Sequence, residues 1–246
     1  MKYMVIFAGM NGNNCLLHIS SFLTALLLCV LTNAQPGWKV DWNADLYMNG
    51  GTGDYLPFWQ RTGYDGIMPY TSAAILSAGA DFRYESVNGI RMDAGANLVG
   101  QAITAGPWNS RGVKGFVDRL YISGSWKMLH LDIGMKPRIR EFGDLSVTGG
   151  NIVFTGNVRN MPGINAWSDW IYFEKGHWFG VRGNFAHYQT LDNRYVRGTM
   201  IHNKSLAFKV ALGRKVDFEA GLDHWVQWGG TSPETGVRPS SFRDYI

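Results

Sequence analysis

The chain has 246 residues, of which 46% are hydrophobic and 17% charged, with a formal net charge of +4. Charge is sparse for a soluble protein of this length, and its basic residues are scattered among acids, which excludes the clustered basic surface of a nucleic-acid binder. With 31 glycines, 10 tryptophans and 14% aromatic residues, the composition favours an all-β chain rich in turns.

Residues 1–34 read as a signal peptide. Phe22–Leu31 is an apolar stretch, and Thr32-Asn33-Ala34 supplies the small-residue cleavage site. Lys2 is the only basic residue ahead of it, so Met4 or Met10 is an alternative start. Cys15 and Cys29 both precede Ala34, and a mature chain from Gln35 has no cysteine. Leu27-Leu28 stand where a lipoprotein signal needs small residues. The apolar stretch falls short of a spanning helix, and nothing later offers the ~18 consecutive apolar residues one requires. Any membrane crossing in the mature chain must use strands.

From Trp38 the chain alternates. Trp38, Val40, Trp42, Ala44, Leu46 and Met48 share one face, and Lys39, Asp41, Asn43 and Asp45 share the other, the period-two signature of a strand. A long connection follows over residues 49–71. The next hairpin turns at Val87-Asn88-Gly89, which opposes Glu85 to Arg91 and Arg83 to Asp93. A tighter turn would oppose Arg83 to Arg91, a destabilising like-charge pair, and is rejected. Residues 101–113 form a second long connection. A turn around Gly124–Lys127 is expected to set Leu120 against Leu131, Ile122 against Leu129 and Arg119 against Asp132.

Residues 137–168 are expected to be a third long connection, with Asn151–Thr155 a candidate for one extra strand. The turn around Lys175-Gly176-His177 sets Phe173 against Phe179 and Ile171 against Val181. After a connection over 189–203, Gly213-Arg214-Lys215 sets Leu212 against Val216, Val210 against Phe218 and Lys209 against Glu219. Residues from 229 onward are expected to leave the sheet, and the closing PSSFRDYI carries no strand pattern.

Short turns and long connections therefore alternate, as in outer-membrane barrels with tight periplasmic turns and extended extracellular loops. The expected fold is an all-β, antiparallel transmembrane β-barrel domain over residues 35–246. Its apolar face meets lipid and its charged face lines the interior. About nine strands are counted, an odd number where single-chain bacterial barrels have an even one, so the barrel domain is expected to be C-terminally incomplete.

Several stretches resemble the capsule assembly Wzi family. In KPRIREFGDLSVTGGNIVFTGNVRNMPGI (136–164), Gly149-Gly150, Thr155-Gly156-Asn157, Arg159 and Pro162 are similar to a hallmark segment of that family. GDYLPFWQRTGYDGIMP (53–69) resembles its first long loop, and HNKSLAFKV (202–210) with FEAGLDHWVQWGGTSPETG (218–236) a later hairpin and loop. The resemblance runs from Trp38 to Gly236. It implies an outer-membrane barrel of about 18 strands, monomeric when complete and acting as a surface lectin for capsular polysaccharide. This chain holds about half of those strands.

A lectin needs aromatic faces for sugar rings, with amides and charges beside them. Candidates are Trp59 and Arg61 in the first long connection, Trp108 and Arg111 in the second, and Arg138, Arg140, Asn157 and Arg159 in the third. The tryptophans also suit an interfacial girdle. Arg138, Arg140 and Arg159 also suit ion pairs with Glu141 or Asp144 inside the barrel. His130 and Asp132 share the polar face without a nucleophile at a recognisable spacing, so neither catalysis nor a cofactor is expected. There is no Cys/His metal motif or phosphate loop. The expected partners are exported polysaccharide and outer-membrane lipid, and the alternative function is a pore for small solutes.

Overall fold

A computed structural model describes residues 37–51, 55–104, 111–138, 153–173, 176–191, 195–213 and 216–245. The proposed signal peptide, Trp108 and Arg140 lie outside these residues. The described chain is one antiparallel sheet. Its strands are β1 (Trp38–Asn49), β2 (Ala73–Glu85), β3 (Ile90–Ile103), β4 (Gly112–Trp126), β5 (Leu129–Met135) and β6 (Gly163–Ser168). They continue with β7 (Ile171–Tyr172), β8 (Phe179–Gln189), β9 (Arg197–Ala211), β10 (Asp217–Ser232) and β11 (Gly236–Val237). Each strand pairs with the next in sequence, except that β6 pairs with β8 and β7 is a short continuation beside it. The sheet is not closed: β1 and β11 are its edges.

The charge-matched registers hold in two hairpins. Arg83 opposes Asp93 with its Nε 2.8 Å from the carboxylate, and Ser86 N–H donates to Ile90 O across the three-residue turn. Leu212 N–H donates to Val216 O, and Lys209 reaches Glu219 at 3.2 Å. Ile171 opposes Val181 as expected. The β4–β5 hairpin differs. Its turn is Lys127-Met128, which sets Ile122 against Ile133 and Leu120 against Met135. Arg119 therefore does not meet Asp132; it pairs with Asp81 of β2 at 3.1 Å. Lys127 itself takes the left-handed conformation, with φ 53°, and Gly124 lies inside the strand opposite Met92.

The expected connections also run shorter. Residues 163–168 are strand β6, β9 begins at Arg197, and β10 continues through Gly229 to Ser232. Residues 153–155 of the extra-strand candidate are not strand, and 151–152 lie outside the described residues. Phe242–Tyr245 form one helical turn.

The two faces of the sheet are inverted relative to a water-soluble protein. On the apolar face Trp42, Leu46 and Leu222 are 74%, 67% and 83% exposed, and Leu98, Leu120, Ile122 and Phe185 are exposed with them. No described segment covers these side chains. On the opposite face Asn97 and Asp118 are 3% and 4% exposed, and Gln101, Ser123, Asp132 and Asn203 are buried. Two small apolar clusters also lie on this face at the long-connection end. Ala73, Ile75, Val99 and Ile103 pack under Ile67 and Met68, and Met161, Ala186, Tyr188 and Ile201 pack with Phe154 and Trp225. Both contain residues from the strand-connecting segments, so these segments fold over the polar face.

Candidate functional site

Two connecting segments meet over the polar face. Asp65 N–H donates to Gly156 O at 2.7 Å, and Gly63 N–H donates to the Asn157 side-chain oxygen at 2.8 Å. Gly66, at φ 68°, brings residues 55–72 so close that a Cβ there would stand 2.8 Å from Arg159 Cγ and 2.9 Å from Asn157 O. Only glycine satisfies both the backbone and the approach. Gln101 Nε2 donates to Ile67 O from β3, and Asn160 Nδ2 donates to Asp118 O at 3.3 Å from the other segment.

Under residues 153–161 lies a cavity of about 740 Å³, with β5, β6 and β8–β10 as its wall. Three indoles line it: Trp167, Trp170 and Trp225. Carboxylates orient two of them. Trp167 Nε1–H donates to Asp132 at 2.8 Å and Trp225 Nε1–H to Asp223 at 2.7 Å. Asp132 also accepts from Lys136 at 2.5 Å, and Asp223 from Asn203 at 2.5 Å. Asn184 donates to Asn165, and the Asn184 side-chain oxygen is buried without a hydrogen-bond donor. Asn160 adds a further amide to the lining.

Arg138 enters the cavity from just beyond β5. Its guanidinium carbon lies 3.2 Å from the Phe154 ring centre, 4.5 Å from Tyr188 and 5.4 Å from Trp225. Cation–π attraction holds it there, and burial pushes its guanidinium below the ordinary arginine value. Its Nη2 is buried without an acceptor. Among the described residues of the lining, Lys136, Arg138, Arg159 and Arg182 stand against Asp65, Asp132, Asp169, Glu219 and Asp223, so neither sign prevails among them.

The sequence candidates separate into three groups. Arg138 and Arg159 line the cavity together. Asn157 spends its side-chain oxygen on Gly63, which makes it a clamp between segments. Trp59, 66% exposed in a single helical turn (Phe58–Gln60), and Arg61, stacked 4.7 Å over Tyr70, do not line the cavity. Arg111 precedes β4 and is exposed. The strand residues Trp167, Asn165, Asn184 and Asn203 were missed by sequence reasoning. Assigning 137–168 to a connection hid β6, although Asn165, Asn184 and Asn203 recur at one regular interval on the polar faces of neighbouring strands.

Chemically, the site is equipped to bind. Indole faces suit the C–H faces of sugar rings, and amides and carboxylates serve hydroxyls as donors and acceptors. His130 is stacked on Trp167 at 3.8 Å and held by Asp169 at 2.9 Å, an arrangement that fixes the ring in place. Among the described residues no group of three or more His, Cys, Asp or Glu is placed to hold a metal ion. No protein-family model matches this chain, and no curated protein or solved structure matches it.

Proposed function

We propose that the chain is an outer-membrane β-barrel protein of the capsule assembly Wzi family, binding exported polysaccharide at the cell surface without a chemical step. One observation carries the reading: large apolar side chains are exposed on one whole face of the sheet while amides and carboxylates are buried on the other. Such a sheet in water would be a large aggregation-prone surface; in a bilayer its apolar face meets acyl chains. The Trp- and Asn-lined cavity supports the reading by offering sugar rings a place to bind.

The test is a Trp170→Ala, Trp225→Ala double variant produced in the cell's own outer membrane. Retention of surface polysaccharide is expected to fall while the amount of protein in the membrane is unchanged. Unchanged retention would overturn the reading. The second function, a solute pore, is disfavoured by residues 55–72 and 153–162 lying across the polar face. Planar-bilayer recording is expected to give no steady conductance; stable open-channel steps would favour the pore.

A further inference from the structure

The apolar face carries one basic island. Among the described residues, that face of β1–β6 holds no charged side chain and no histidine. On β8–β10 it holds Lys204 and three of the chain's 6 histidines, His187, His202 and His224. Pairing brings the four together. His187 stands opposite His202, and Lys204 stands between Phe185 on one neighbouring strand and His224 on the other. The rings pack against each other: His187 and His202 lie 6.1 Å apart between centres, His202 meets Phe185 edge-on at 4.6 Å, and His187 lies 5.2 Å from Trp228. His202 is 4% exposed, whereas Lys204 and His224 are both exposed. Buried rings form the base of the island, and an ammonium and an imidazole form its outer surface.

Depth alone does not account for it. Lys204 and His224 each stand about ten residues from the turn at 213–215, at the end of the ~9–11 residues with which a tilted strand crosses a bilayer. At about the same distance from their own turns, β3 carries Leu98 and β4 carries Val117, both exposed and apolar. The basic residues therefore form a local group and not a ring at one height. Toward the turn the same strands continue with Leu206, Leu222 and Phe208, all exposed. With the short turns on the periplasmic side, the island lies level with the headgroups of the outer leaflet. Among the described residues, no carboxylate shares the apolar face of β8–β10 with it.

A cation and imidazole N–H groups directly above an exposed apolar surface match an anionic headgroup joined to acyl chains. We propose that Lys204 and His224, seated on His187 and His202, bind the phosphate of an outer-leaflet lipid whose acyl chains lie over Leu206, Phe208 and Leu222. The ammonium gives the phosphate a charge-assisted hydrogen bond, and the imidazole adds a second donor. The site is separate from the Trp-lined cavity, on the other face of the same strands. It rests on the membrane half of the reading above and adds a specific lipid to it.

The test uses the full chain purified in detergent and three probes: lipid A carrying its phosphates, the same lipid A dephosphorylated, and inorganic phosphate. Native mass spectrometry measures binding to the unaltered protein and to a Lys204→Leu, His224→Leu double variant. Leucine matches the apolar residues around both positions, so the variant keeps the pattern of the face. The phosphorylated lipid is expected to bind the unaltered protein at least about tenfold more tightly than the dephosphorylated one, as charge-assisted contacts to the phosphate allow. The double variant is expected to bind the two forms equally. Equal binding of both forms by the unaltered protein, or of neither, would overturn the phosphate site and leave the membrane reading standing. A preference that survives the double variant would place the phosphate elsewhere and overturn it. Inorganic phosphate binding as tightly as the lipid would overturn it in favour of a free anion, and a dimer that the double variant dissolves would overturn it in favour of a protein contact. Failure of the unaltered protein to float with lipid vesicles of any composition would overturn the membrane reading as well.

Discussion

The polar face of β1–β4 and that of β5–β10 come from the same alternation, yet they are filled in opposite ways. On β1–β4 the polar groups satisfy one another. Arg119 reaches Asp81 at 3.1 Å and Asn43 at 3.2 Å, Tyr121 donates to Asp81 at 2.9 Å, and Arg83 and Arg91 both reach Asp93. Asp81 stands opposite Asp41, a like-charge pair that Arg119 neutralises from two strands away. Gly95 leaves room for this network, since a Cβ there would stand 2.5 Å from the Tyr121 ring. On β5–β10 carboxylates instead orient indoles toward open space. One region braces the wall, and the other leaves a place for a ligand. The lesson is that polarity on an inward face does not by itself distinguish bracing from binding. What distinguishes them is whether the groups face each other or face a cavity.

Four substitutions sharpen the contrast, in decreasing order of effect. Ile122→Arg, on the apolar face shared by both regions, is expected to cost about 2–4 kcal/mol of stability in a bilayer; reversible urea unfolding in lipid vesicles measures it. Gly95→Leu is expected to cost about 1–3 kcal/mol by overpacking the braced region, read in the same unfolding experiment, with sugar binding retained by the folded fraction. Trp167→Ala should do the reverse, lowering oligosaccharide affinity by about 1–2 kcal/mol, in the range of an aromatic contact and its buried area, as isothermal calorimetry would record. Arg83→Ala is expected to change stability by under about 1 kcal/mol, because its side chain is 53% exposed and water screens the pair. A large loss there would mean the bracing network is stronger than its exposure allows.

Much of the sheet was legible where the sequence offered two independent constraints. At 83–93 and 209–219, alternation fixed the faces and charge pairing supported the register, and at 83–93 a tighter turn would have opposed Arg83 to Arg91. At 119–132 the charges misled, because Arg119 and Asp132 are complementary but each has another partner, Asp81 and Lys136. The turn that forms there contains no Gly, Asn or Asp to mark it, and Gly124 drew attention to the wrong place. The error left the faces right because the true pairing differs by an even number of positions. β6 was illegible for another reason: GINAWS is short, begins at a glycine and follows a proline.

Of the site, Arg138 and Arg159 were legible as basic residues of the third long connection. The role of Asn157 was not. Its bond to Gly63 joins residues far apart in the chain, and local pattern carries no information about such contacts. The same holds for the cavity itself, which exists only because residues 153–161 fold back over strands whose own patterns say polar and nothing more.

On the proposed reading, the apolar face touches lipid and the polar face encloses water and ligand. Spin labels on single cysteines at Leu46, Ile122 and Leu222, compared with labels at Asn165 and Asn203, test it most directly in reconstituted vesicles. The first three are expected to collide freely with dissolved oxygen and to be shielded from a water-soluble nickel complex, while the other two are shielded from oxygen relative to them. Nickel access at Leu46, Ile122 and Leu222, or immobilisation of those labels against protein, would contradict it.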